Sequence, residues 1–216
     1  MGEVLEMKFT KLCNIRSFAS AAAVLTMALV AGCNQIGASL GLTDQIEQVS
    51  PAPIAPERLR VTLPKVGAEA TLAPVAQKDA ITVWQTLDGI TLSFRNGVLT
   101  ATRGLGEDLI SSDISKTVSM LKGDTGNGHY PMIRTYLNGE DQTYYPAYQC
   151  RQSRELKQQV KIDDVPLSLR RLEEVCVSPN HTFTNIYWLN AERTIVKSRQ
   201  WVSHNVGTMV TERVMR

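Results

Sequence analysis

Asn96-Gly97, set between Ile90-Thr91-Leu92-Ser93-Phe94 and Val98-Leu99-Thr100-Ala101-Thr102, constrains the fold of this chain more than any other feature. Both flanking runs alternate apolar and polar residues, the period of a half-buried strand. A two-residue hairpin turn needs positive φ at both central positions, which Asn and Gly tolerate. Asp88-Gly89 turns the chain just before this hairpin, and Ala80 to Thr86 alternates in the same way, so the sequence predicts a three-stranded meander from about 80 to 103.

The same texture recurs along the chain. Leu59 to Leu63 reads as a strand, as do Met132 to Tyr136 and Thr143 to Cys150, with Asn138-Gly139 as a second hairpin turn. Further strands are predicted near 155–162 and 168–178. A last hairpin joins Thr182–Leu189 to Thr194–Trp201, and a final strand covers about 206–214. Leu109 to Leu121 has helical spacing, with Ser111, Ser112 or Asp113 placed to cap it, and Gly123, Gly126 and Gly128 mark a loop behind it. Many short strands with one helix predict an all-β sandwich or barrel.

The N-terminal region is a processing segment. Lys8, Lys11 and Arg16 precede an apolar run, Ala19 to Val30, which ends at Val30-Ala31-Gly32-Cys33. A spanning helix needs roughly 20 apolar residues, so this run has the length of a signal sequence instead. The tetrapeptide resembles the lipobox of bacterial lipoproteins, with Val30 where Leu is usual. The resemblance implies cleavage before Cys33 and acylation of that residue. Several acyl chains at ~0.8 kcal/mol per buried CH₂ hold a protein on a bilayer stably. Asn34 follows the cysteine; Asp there retains such proteins in the inner membrane, so the resemblance implies the periplasmic face of the outer membrane. Met7 is an alternative start to Met1. The expected organisation is a signal peptide over 1–32, a lipidated tether over 33–58 stiffened by Pro51, Pro53 and Pro56, and an all-β periplasmic domain over 59–216.

Removing Lys8, Lys11 and Arg16 from the 23 basic residues leaves 20, and removing Glu3 and Glu6 from the 21 acidic ones leaves 19. A chain this close to neutral, with no long block of one charge, is not expected to bind nucleic acid. With Cys13 in the signal and Cys33 acylated, Cys150 and Cys176 remain as a disulfide candidate in an oxidising compartment, the alternative being two buried thiols.

Catalytic chemistry finds little support. His129, His181 and His204 show no ligand spacing and read as loop histidines. Asp163-Asp164 and Glu173-Glu174 read as turn or solvated-strand residues, since neighbours on a strand face opposite ways. No nucleophile elbow or phosphate loop is present, and neither a metal site nor a cofactor is expected. Tyr145, Trp188 and Trp201 are candidate sugar-stacking residues, although strands also bury such rings in their cores.

Two stretches go beyond β texture: Ile81 to Asp113, in which the hairpin runs into Thr102-Arg103-Gly104-Leu105-Gly106-Glu107-Asp108-Leu109, and Asn185 to Val214. With the lipobox they resemble the YjbF/GfcB family of lipoproteins, associated with exopolysaccharide and group 4 capsule production. The resemblance covers roughly residues 75–214. It implies an all-β fold, a large antiparallel meander folded on itself, and partners in an outer-membrane β-barrel, a periplasmic polysaccharide-export protein or the polysaccharide itself. Asn190-Ala191-Glu192-Arg193 stands where a Gly-containing turn is expected. The expected function is a non-enzymatic accessory in exopolysaccharide or capsule assembly or secretion, with Arg103, Gly104, Gly106 and Asp108 as a candidate partner or glycan loop. The alternatives are a glycan-modifying enzyme and an assembly factor for lipids or barrel proteins.

Overall fold

The computed structural model describes residues 57–124 and 128–214. The expected signal peptide, Cys33 and nearly all of the expected tether lie outside these residues.

Among the described residues, thirteen strands and one helix follow in order: β1 Arg58–Leu63, β2 Ala68–Lys78, β3 Ile81–Gln85, β4 Thr91–Arg95, β5 Val98–Arg103, β6 Asp108–Ser112, α1 Ser115–Lys122, β7 Tyr130–Leu137, β8 Thr143–Tyr144, β9 Ala147–Ile162, β10 Val165–Val177, β11 Thr182–Leu189, β12 Ile195–Ser203 and β13 Gly207–Val214. All belong to one antiparallel sheet in the order β5-β4-β3-β2-β1-β13-β12-β11-β10-β9-β7-β6, with β8 beside β7. Its two ends, β5 and β6, are consecutive in the chain and joined by a short loop. The sheet is therefore curled into a half-barrel, and no helix among the described residues is long and apolar enough to cross a membrane.

The predicted meander is present, and Asn96 and Gly97 have φ of 51° and 79°. Gly97 is required twice over, because a Cβ there would lie 2.9 Å from Ile195 Cδ1. The helix is shorter than its spacing suggested. Asp108–Ser112 pairs with β7 as β6, and Asp113 Oδ1 accepts the Ser115 N–H at the start of α1. β2 is not among the expected strands, since its Ala-rich composition and Pro74 argue against a central strand. Pro74 lies at a register shift between Pro74 and Ala76, the kind of irregularity at which a residue without an N–H is tolerated in a sheet. In the last hairpin Arg193 takes the positive φ (58°) expected of glycine, and its Nε donates to Leu121 O at the end of α1, 2.6 Å.

The core follows from alternation. Leu59, Val61 and Leu63 of β1 meet Leu72, Trp84 and Leu92 inside the curl, each removing up to about 1.5–3 kcal/mol of apolar surface from water. Ile114, just before α1, and Met120 and Leu121 within it close one end against Leu172, Tyr187 and Leu189. Gln200 of β12 reaches across this interior to the edge strand β5. Its Oε1 accepts the Leu99 N–H at 2.9 Å and its Nε2 donates to Gly97 O at 3.0 Å. A buried amide thus replaces ladder bonds that β5 lacks.

Antiparallel succession sorts the connections into two groups. β1 begins and β13 ends at the proximal end, together with α1 and the turns at 96–97 and 163–164. The loops at 64–67, 86–90, 104–107, 138–142, 178–181 and 204–206 gather at the distal end.

Candidate functional site

Near the distal end the sheet splits. β11 and β12 pair only through Ile186–Leu189 and Ile195–Arg199, although β10 stays bonded to β11 as far as Thr182 and β13 to β12 as far as Ser203. Buried side chains take over the missing ladder. Asn185 Oδ1 accepts the Trp201 N–H at 2.8 Å, Arg134 Nη1 donates to Trp201 O at 2.9 Å, and the Tyr136 hydroxyl donates to Val202 O at 2.7 Å.

Arg134 is 1 % exposed and Glu174 is not exposed at all. Glu174 Oε1 accepts from Thr117 Oγ1 (2.5 Å) and Tyr130 Oη (2.6 Å), and Oε2 accepts from Asn185 Nδ2 (2.8 Å) and Tyr187 Oη (3.3 Å). Burial and the neighbouring carboxylate push both tyrosine hydroxyls well above their ordinary pKa, so they stay protonated and donate. Carboxylate and guanidinium are joined in a relay through the Asn185 amide and the Trp201 peptide. Opposite buried charges linked through hydrogen bonds are tolerable where isolated ones are not, although Arg134 Nε has no partner among the described residues.

The mouth of the split is lined by aromatic rings. His181 lies 4.4 Å from Trp201, 4.7 Å from His204 and 5.8 Å from Phe183 between ring centroids, and Tyr148 meets Phe183 edge-on at 4.9 Å. His181 and His204, 23 positions apart in the chain, are thus brought together, whereas His129 is exposed elsewhere. Burial, and the His204 ring beside it, hold His181 below its ordinary pKa. The unfolded chain therefore takes up this proton at higher pH than the folded one, and stability falls as pH drops through the ordinary histidine range. Denaturation midpoints measured between about pH 5 and pH 8 will decline toward the acid side, and His181→Gln will flatten that slope.

The loop singled out in the sequence borders this mouth. Asp108 organises it: Oδ2 accepts the Gly104 N–H (2.8 Å), and Oδ1 accepts the Leu105 N–H (3.0 Å) and Thr102 Oγ1 (3.0 Å). Gly104 and Gly106 have φ of 94° and 89°, so both serve the turn. A Cβ on Gly104 would also press on Ile90, 3.3 Å away. Arg103 is exposed. Glu107, not marked by the sequence, anchors the loop by accepting from the Tyr144 hydroxyl and from the Asn205 N–H at 2.9 Å. Burial pushes its carboxyl up, but Tyr144, Asn205, Ser203 and the His204 charge together hold it below the ordinary range.

The aromatic candidates have different surroundings. Tyr145 is 65 % exposed on the distal loop before Pro146. Trp188 is flanked by Arg171 and Lys197, with its indole N–H on Gln158 Oε1 at 2.9 Å. Trp201 belongs to the mouth of the split. Asp163 and Asp164 form a turn with φ of 48° and 63°, whereas Glu174, read as a solvated-strand residue, is a buried acceptor.

Cys150 and Cys176 face each other across β9 and β10 and are joined by a disulfide, Cα to Cα 4.0 Å. Their sulfurs and a Glu174 oxygen lie within 4.8 Å of one another, a spacing that suits a metal. With the sulfurs bonded to each other and the carboxylate engaged by four donors, the group fits a metal poorly.

A curled antiparallel sheet, with a polar network in place of part of its ladder, makes this domain a half-barrel. The structure is similar to the crystal structure of the hypothetical lipoprotein YmcC from Escherichia coli K12, with a TM-score of 0.61 and 16 % identity over 84 % of this chain and 94 % of that one. No curated protein matches the sequence. Residues 42–214 match the model of the YjbF family, described as group 4 capsule polysaccharide lipoprotein GfcB, and the chain belongs to that family.

Proposed function

We propose that this protein is an outer-membrane lipoprotein, anchored through Cys33, that serves as a non-enzymatic accessory in assembly or secretion of an extracellular polysaccharide. Membership of a capsule-polysaccharide lipoprotein family over residues 42–214 carries this reading. The distal end supports it. Leu87 is fully exposed on its loops, with Val66 and Tyr145 also exposed, apolar side chains open to a partner protein. Among the described residues the two buried carboxylates are otherwise engaged: Glu174 has four donors and no exposure, and Glu107 is tied to Tyr144 and Asn205. A glycosidase needs two carboxyls free to face the scissile bond from both sides. Deleting the gene will lower surface polysaccharide under inducing conditions, measured by uronic acid or capsule staining. A photo-reactive residue at Leu87 will cross-link an export component. Unchanged polysaccharide in the deletion strain would remove the basis for the proposal.

A further inference from the structure

β9 is 16 residues long, and its outer neighbour pairs with only four of them. β7 covers only Ala147–Cys150, whereas β10 stays paired to β9 as far as Ile162. Among the described residues, nothing pairs with the other edge of Arg151–Ile162, a free edge about 40 Å long at strand rise. This arm is fixed in place. Ile162 and Leu169 pack on Val196, and Asp163 Oδ1 takes the Arg60 guanidinium at 2.7 Å.

The free edge carries Arg151, Arg154, Lys157 and Lys161, all exposed, and none forms an ion pair among the described residues. Its single acid, Glu155, is already held by Arg170 at 2.8 Å. In a chain whose charge nearly balances, this is a local concentration of one sign. Charged residues on an edge prevent strand-to-strand aggregation, but either sign, or a mixture, does that. A row of one sign on a rigid, unpaired backbone does something more. Successive cations recur every three or four residues, about 10–13 Å apart along the strand; Arg151 and Arg154, opposite Val175 and Glu173, lie on one face of the sheet and Lys157 and Lys161, opposite Arg170 and Pro166, on the other, so the charges flank the edge from both sides. The exposed Gln159 amide and the open backbone N–H and C=O groups between them are partners for hydroxyls.

We infer that the Arg151–Lys161 edge of β9 is a binding surface for an acidic polysaccharide chain, its carboxylates meeting the four cations and its hydroxyls meeting the open backbone. This rests on the proposed role in polysaccharide handling and adds the charge class of the glycan and the strand that holds it. A linear polyanion lying along the edge meets cations from both faces of the strand. A bilayer would favour exposed apolar side chains beside the charges, and among Arg151–Ile162 none is both large, apolar and exposed.

The test compares the full chain with a variant carrying Arg151→Gln, Arg154→Gln, Lys157→Gln and Lys161→Gln, and with the milder Arg154→Gln/Lys157→Gln pair. Polygalacturonate and dextran serve as acidic and neutral glycans, and phosphatidylglycerol vesicles as an anionic surface. Polygalacturonate should retain the wild type, with retention falling as salt rises; dextran should not. Binding should drop at least tenfold in the quadruple variant and by an intermediate factor in the pair, with circular dichroism unchanged. Equal binding by variant and wild type, no binding to polygalacturonate, or charge-dependent binding to vesicles alone would each overturn the inference. In cells, a quadruple variant that restores polysaccharide to a deletion strain as well as wild type would defeat this surface while sparing the accessory role. A deletion with no polysaccharide defect would defeat the role itself.

Discussion

Glu174→Ala will destabilise the folded domain by about 3–5 kcal/mol, the loss expected when one member of a buried, hydrogen-bonded charge network is removed. Against a typical stability of about 5–15 kcal/mol, that is a large fraction of the whole. Alanine leaves the hydroxyls of Thr117, Tyr130 and Tyr187 and the Asn185 amide without their acceptor, in a place with no exposure to water. Each stranded group costs about 1–3 kcal/mol, less where a hydroxyl can rotate to another partner. Glu174→Gln will cost less, since an amide keeps one acceptor oxygen but turns an NH₂ toward groups that already donate. Arg134→Ala will act at the other end of the relay by uncapping Trp201 O. The double variant should lose less than the sum of the singles, because both act on the Trp201 peptide. Urea denaturation followed by tryptophan fluorescence, on a soluble form starting at residue 34, reads these differences. A Glu174→Ala midpoint equal to wild type would show that the carboxylate does not hold this network.

Much of the fold was legible because strand alternation and turn chemistry are local. Asn96-Gly97 and the runs beside it were sufficient for the meander, and the half-barrel follows once such strands share one apolar face. The same alternation contains the buried charges. Leu172, Glu174 and Cys176 share a face, as do Met132, Arg134 and Tyr136, so each charge sits between residues of the core. Read as composition, a Glu-Glu doublet suggests solvent; read by period, its second member points inward. The missed β2 has the opposite cause, since Pro74 and a run of alanines hide a strand whose place is fixed by β1 and β3 on either side. The split between β11 and β12 lay beyond local reading. It depends on where two pairings stop, and on Asn185 and Arg134 finding the Trp201 peptide from separate strands. His181 and His204 meet for the same reason: two distal loops are brought together by the curl of the sheet.

Removing the Cys150–Cys176 bond, by Cys150→Ala/Cys176→Ala, will lower stability in oxidising buffer by about 3 kcal/mol, the chain-entropy value for a loop of this length. The two residues are 26 positions apart. Alanine is the better probe, because serine would place hydroxyls against Tyr130, Met132, Tyr148 and Phe183. The bond has a particular position. Cys150 is the last residue of β9 that pairs with β7, opposite Tyr130, so the disulfide staples the base of the arm at the point where β9 loses its outer neighbour. Two residues from Cys176 and on the same face, Glu174 accepts from that same Tyr130. Loss of the bond should therefore speed hydrogen exchange first in Arg151–Ile162 and at Tyr130, and leave β1 to β4 nearly as protected as before. Reductant should bring the wild type down to the variant's midpoint and leave the variant where it was. A variant within about 0.5 kcal/mol of wild type, the range of an ordinary surface change, would mean that packing alone holds the base of the arm.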